Sequence, residues 1–248
     1  MQEGRGLVIK RALLIATTVL IVACSQSSSL VPENTVGGPN VVASTQTPMA
    51  NATTSLTLDL GKKVKAGQVA IADVLSYGGN KPKITAPSGW QLIRDDSTAT
   101  TRQSLYWHAV QANEPSTATW TFSTSVDAQG AIVLIDNADT TSPIDMSIGN
   151  TDVSGTLIPK SVVTTHDADL VLLFYSTDFH APGLGPKMPD NTTTVMDLDT
   201  ASHEYWILAA YQAGAGPTED KPCGQGQLFS WAAAQVAIER GPGTPSAS

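Results

Sequence analysis

The chain has 248 residues, with 14 Lys and Arg against 22 Asp and Glu, a net charge of −8. Such an acidic balance repels phosphate backbones and argues against nucleic acid as a partner. Two cysteines, Cys24 and Cys223, are too few for a disulfide scaffold or for a zinc site held by a cysteine cluster.

Lys10 and Arg11 precede an uncharged apolar run from Ala12 to Ala23. As a helix that run would reach only about 18 Å, short of the ~30 Å hydrocarbon core. Residues 1–23 therefore read as a secretory signal rather than a span. The run closes on Ile21-Val22-Ala23-Cys24, which resembles the lipobox of bacterial lipoproteins. The resemblance implies cleavage before Cys24, diacylation of its sulfur (palmitate-type chains) and acylation of the new amine. Two or three acyl chains anchor stably where one does not. The expected location is extracytoplasmic, tied to the outer membrane or to the outer leaflet of the cell membrane.

Removing residues 1–23 takes away Arg5, Lys10 and Arg11 together with Glu3, which leaves 11 basic and 21 acidic side chains, a net of −10. Like charge of that size keeps an exported domain dispersed. Lipidation of Cys24 would leave Cys223, between Pro222 and Gly224, without an intrachain partner.

Residues 24–50 are rich in Ser, Thr, Asn, Pro and Gly and show no periodicity, so they read as the anchored cysteine and a disordered tether. A coil of that length reaches about 25–30 Å. The tail, residues 241–248, reads the same way. Between them, residues 51–240 read as one β domain. Strands are expected at 55–60, 68–77, 90–96, 103–110, 118–124 and 130–136, then at 161–165, 169–177, 192–199, 205–213, 228–234 and 235–239. No sustained helical stripe occurs. The Ala-rich segment "SWAAAQVAIE" (230–239) has helix propensity, but its place in the pattern described next favours strand.

The two strand sets match each other. Ile71 aligns with Val171, Gln111-Ala112 with Gln212-Ala213, and Ile135 with Ile238. A period near 100 residues, present twice, is too long for a solenoid and fits two similar half-sheets packed face to face. The expected fold is all-β: a single antiparallel β-sandwich of jelly-roll type, with halves at about 55–136 and 161–239.

Residues 53–240 also resemble a module of bacterial surface proteins and phage tail or fibre proteins. The resemblance rests most specifically on Pro87-Ser88-Gly89-Trp90 and on the stretch "LYWHAVQANEP" that follows. It implies a β-sandwich of extracellular proteins that serves binding or structure without established catalysis. The second half departs from it, because "APGLGPKMPDN" (181–191) replaces the Pro-x-Gly-Trp element.

Chemistry-bearing patterns are sparse. His108, His166, His180 and His203 form no HExxH, and His166-Asp167 and His203-Glu204 read as adjacent pairs facing opposite ways on strands. No GxSxG, Cys–His set or phosphate loop is present. Asp95-Asp96 read as strand-end acids that satisfy backbone donors. The loop from Asp136 to Asp145 gathers oxygen ligands, making Asp136, Asp139 and Asp145 weak calcium candidates beside a plain Asx-rich turn. Among the aromatics, Trp90 at a loop-to-strand junction is the candidate for partial exposure and for stacking on a sugar.

No catalytic residue is expected. The leading reading is a lipid-anchored, surface-displayed binding or adhesion module with polysaccharide or a surface protein as ligand. Its alternatives are a structural component of an envelope complex and an enzyme acting on extracellular polysaccharide.

Overall fold

The computed structural model describes residues 37–79, 81–153, 155–178, 188–199, 205–223 and 230–242, apart from the side chains of residues 198, 199 and 205–207. The signal peptide, Cys24, the start of the tether, His180, His203, most of the 181–191 loop and the end of the tail lie outside the described residues.

Thirteen strands and no helix are found among the described residues. In chain order they are β1 (Asn40–Asp59), β2 (Val69–Tyr77), β3 (Ile84–Thr85), β4 (Gln91–Ser97), β5 (Thr101–Ala109), β6 (Thr117–Asp136) and β7 (Ile144–Asp152). There follow β8 (Val163–Thr164), β9 (Asp169–Thr177), β10 (Thr193–Asp199), β11 (Tyr205–Ala213), β12 (Gly216–Pro217) and β13 (Trp231–Ile238). The first sheet runs β1-β6-β2-β5-β4, with β3 also paired to β6. The second runs β10-β11-β9-β13-β7, and β12 pairs with β8 in a small ribbon. All pairings are antiparallel.

The fold is thus an all-β antiparallel sandwich. The jelly-roll part of the expectation is not established by these sheet orders. A Greek key reads 4-1-2-3, whereas β2, β4, β5 and β6 read 4-1-3-2, and each sheet is drawn from one half of the chain.

Written outward from the matching edge, the two orders β1-β6-β2-β5-β4 and β7-β13-β9-β11-β10 correspond strand for strand. Edges of opposite kind face each other. Ser44 Oγ of β1 reaches Val195 O of β10 at 3.4 Å, and Arg94 Nη1 of β4 reaches Ser147 Oγ of β7 at 3.4 Å. An approximate twofold axis along the strands therefore relates the halves.

Register refines the repeat. Val69 lies opposite Ile135 and Ala109, while Leu170 lies opposite Ile238 and Gln212. Val69 therefore corresponds to Leu170, Ala109 to Gln212 and Ile135 to Ile238. The expected match of Ile71 with Val171 is one residue out, and that of Gln111-Ala112 with Gln212-Ala213 is two residues out. Ile71 faces the other sheet and Val171 faces away from it, and a one-residue slip in a strand exchanges its two faces.

Three apolar layers result. Between the sheets, Val69, Ile71, Leu75 and Leu105 meet Leu170, Leu172, Phe174 and Val236. Outside the first sheet, the ribbon of β1 and β6 bends back over it. Thr47 Oγ1 donates to Thr57 O at 3.1 Å within the same strand, and Leu56, Leu58, Trp120 and Phe122 land on Ala70, Ala72 and Val74. Outside the second sheet, Leu157, Val162 and Cys223 cover Val171, Leu173, Tyr175 and Trp231. Strands buried on both faces read as continuous apolar runs, which is why β2 and β9 carry no alternation.

Two expectations are corrected here. Residues 40–50 are not tether but the first half of β1, paired to β6 from Asn40↔Asp136 onward. Their Thr and Val residues are β-branched and suit a strand whose backbone is satisfied by a neighbour. The strands expected at 118–124 and 130–136 are one strand, β6. The strands expected at 228–234 and 235–239 are likewise one, β13, so the Ala-rich segment is strand, flanked by β7 and β9 on its two sides.

The chain enters the sandwich at one end. Gln212 Nε2 donates to Pro39 O at 2.8 Å, and Asn137 Nδ2 donates to Asn40 Oδ1 at 3.2 Å. At the far end Thr101 Oγ1 donates to Ser230 O at 3.2 Å, and Ser230 N donates to Asp178 Oδ1 at 3.0 Å.

Candidate functional site

Trp90 follows a turn in which Gly89 takes φ +84°, a conformation that favours glycine. The turn drives the indole inward rather than out, leaving Trp90 8% exposed. Its ring stacks on His108 at 5.2 Å and meets Trp120 edge-on at 5.0 Å. His108 Nδ1 donates to Gly89 O at 3.0 Å, and its Nε2 lies 2.9 Å from Glu114 Oε2. Glu114 Oε2 also accepts Gln111 N at 2.9 Å. The expected sugar-stacking platform at Trp90 is therefore corrected to a packed brace. The Pro-Ser-Gly-Trp turn, the histidine and the glutamate lock three segments of the first half together.

The three calcium candidates do not converge. Asp136 accepts Lys65 Nζ at 2.9 Å and Gln68 Nε2 at 3.0 Å. Asp139 Oδ1 accepts Thr141 N at 2.7 Å and Ser142 N at 3.3 Å, an Asx turn. Asp145 goes elsewhere. Asp95 and Asp96 lie within β4 and accept arginines rather than backbone donors, Asp95 from Arg102 at 2.6 and 2.8 Å and Asp96 from Arg94 at 2.5 and 2.7 Å.

Asp145, at the start of β7, faces the turn that leads into β9. Its two oxygens accept Thr165 N and Thr165 Oγ1, each at 2.6 Å. Beyond Thr165 the chain turns through Ala168, at φ +65°, and places Asp169 at the first position of β9. One ligand atom each from Asp145, His166 and Asp169 lies within 4.8 Å of the others. His166 Nδ1 is 3.9 Å from Asp145 Oδ1, and its Nε2 is 3.5 Å from Glu239 Oε1. His166 is half exposed, whereas Asp169 is 0% exposed and neither of its carboxylate oxygens has a hydrogen-bond donor.

Electrostatics follow from that geometry. Burial raises the Asp169 carboxyl, and the neighbouring Asp145, Glu239 and Asp167 charges push it further, up to about 8. Burial also acts to raise Asp145, but the Thr165 hydroxyl and amide and the Asp169 proton outweigh it and hold Asp145 below its ordinary value.

This cluster escaped the sequence because His166-Asp167 lie in a turn, not on a strand. In a strand they would diverge; in the turn His166 swings back over Asp145. The available signal was the repeat itself, since "HDAD" (166–169) stands where the first half has "KAGQ" (65–68).

Cys223 is buried, 3.8 Å from Met188 Sδ, and burial pushes its thiol up to about 12. A thiol so placed is inert at neutral pH.

No family model, curated protein or solved structure matches the chain.

Proposed function

We propose that the chain is an extracytoplasmic binding module, anchored through acylated Cys24 and presenting one end of its sandwich away from the membrane. The observation that carries this reading is the polarity of the sandwich. The chain enters at the end that holds Pro39, Asn40 and Asn137. The fifteen peptide steps from Cys24 to Pro39 extend at most about 50 Å, so that end faces the anchor. The loops joining β2 to β3 and β4 to β5 crown the opposite end.

Both outer sheet faces are covered by the chain itself, so a ligand is left the far-end loops and the sheet edges. Leu92, 56% exposed on edge strand β4, adds an apolar contact to that edge on the side nearer the anchor. Polysaccharide remains a ligand class of this reading, held by these loops and edges and not by Trp90. The likeness to modules of bacterial surface and phage fibre proteins points to the same role. Catalysis by the Asp145 and Asp169 pair is disfavoured because a substrate cannot reach a carboxyl that is fully enclosed.

The test uses the full chain in bacterial cells. Wild type should partition with membranes, and Cys24→Ala should be released or retain its signal. A single cysteine placed at Thr98, at the far end, should react with an impermeant maleimide on intact cells or spheroplasts, and one at Lys65 should react less. Membrane retention of Cys24→Ala, or equal labelling at both ends, would overturn the reading.

A further inference from the structure

The approximate twofold supplies an internal comparison for the cluster around Asp145. His166, Ala168, Asp169 and Glu239 correspond by register to Lys65, Gly67, Gln68 and Asp136. The backbone is alike in the two turns, with φ +85° at Gly67 and +65° at Ala168. In the first half the group satisfies itself. Lys65 Nζ and Gln68 Nε2 each donate to Asp136 at 2.9 and 3.0 Å, and Gln68 Oε1 accepts Lys65 N at 2.8 Å.

In the second half the amide becomes a carboxylate, the lysine a half-exposed histidine, and a further carboxylate enters from Asp145. The position on β1 that corresponds to Asp145 is Val42, since Val41 and Ile144 lie opposite Ile135 and Ile238. A charge-balanced group is thus replaced by three carboxylates around one imidazole. The innermost of them, Asp169, is fully buried with no donor on either oxygen. A self-contained turn gains nothing from this exchange, because the cation and amide donors of the twin turn are gone and a buried acid facing only other carboxyls is costly.

We infer that Asp145, His166 and Asp169 bind a single divalent transition-metal ion of the zinc class, with Glu239 holding the imidazole. The donor set decides the class of ion. One imidazole with two carboxylates suits zinc and its neighbours, whereas calcium takes six to eight oxygens and no nitrogen. The support around the ligands is that of a built site. Thr165 fixes both Asp145 oxygens and its hydroxyl lies 2.9 Å from His166 Nδ1, a contact the ion would replace, while Glu239 faces the second ring nitrogen at 3.5 Å, the carboxylate–histidine–metal relation. Three protein ligands leave a position open towards solvent on the His166 side. The site joins β7 to the turn before β9, so the ion ties an edge strand of the second sheet to its centre. The site stands independently of the lipid anchor.

The test is a titration of the full chain, purified in detergent and stripped with chelator, with zinc, cobalt(II), manganese and calcium salts in turn. Zinc should bind one ion per chain with a micromolar or tighter Kd and raise the unfolding temperature, and calcium should do neither at the same concentration. Cobalt(II) should give the visible absorption of a low-coordinate nitrogen and oxygen site. Asp169→Asn and His166→Ala should each weaken zinc at least tenfold, and Glu239→Gln by about tenfold. His166 is a surface residue, so His166→Ala keeps the test valid should Asp169→Asn fail to fold. Lys65→Ala in the twin turn should leave zinc binding unchanged. Equal zinc affinity in wild type and His166→Ala would overturn the site. So would a wild type that takes up no zinc at all while Asp169→Asn is the more stable chain, which would show a shared-proton pair and nothing more.

Discussion

At the scale of single residues, the molecule uses its most conspicuous side chains for packing. Trp90 is enclosed by His108 and Trp120, so Trp90→Ala should cost about 3–5 kcal/mol of stability through a cavity beneath the ribbon. Chemical unfolding of wild type and variant measures this, and a loss under 1 kcal/mol would mean that the indole is not enclosed. Asp95 gives a pH dependence. Burial alone would raise its carboxyl, but the Arg102 fork, the Ser104 hydroxyl and the Lys81 charge together hold it below 3.8. A depressed folded value stabilises the native state above the unfolded value and loses that contribution as pH falls through the folded one. The stability gap between wild type and Asp95→Asn should therefore be constant near neutrality and close below about pH 4. A gap that persists to pH 2 would assign the effect to packing.

Strands and their neighbours decide what was legible in the sequence. β2 and β9 were readable because burial on both faces demands an unbroken apolar run, and β13 because its place in the repeat outweighed its alanines. The first half of β1 was not, because its Ser and Thr residues compose equally well into a coil, and only the pairing with β6 distinguishes the two. β7 was missed for a similar reason: "IDMSIGNTD" carries Gly149 and Asn150, turn residues that β13 nevertheless pairs. The carboxylate cluster depended on the turn at Ala168, which composition does not announce. The bent ribbon makes its own prediction. A Cβ on Gly130 of β6 would sit 2.7 Å from Asp73 O and 3.0 Å from a Leu56 methyl, against a neighbouring strand and the folded-back ribbon at once. Backbone cannot move as a side chain does, so Gly130→Ala should cost about 1–3 kcal/mol. An unchanged melting temperature would show that the ribbon rides looser than its contacts indicate.

The whole molecule behaves as two copies of one five-stranded sheet that share a single interior. Each copy carries an outer apolar layer of its own, but neither covers the inner face of its sheet. On that face Val69, Ile71, Leu75 and Leu105 of the first half are covered by Leu170, Leu172, Phe174 and Val236 of the second. Sheets with one apolar face bare need a second layer, so the halves should fold as one cooperative unit. A break in the crossover between Thr140 and Thr141 tests this, because it severs the chain without touching a strand. Co-expressed in the cytoplasm without the signal and anchor, residues 25–140 and 141–248 should copurify in equal amounts and unfold in one transition. The first half alone should expose the face that the second sheet covers, and should aggregate or pair with a second copy of itself across the same axis. The outcome against this view is a monomeric first half that melts sharply by itself. That would make the sandwich two domains in contact, and the twofold an accident of their docking rather than the source of the core.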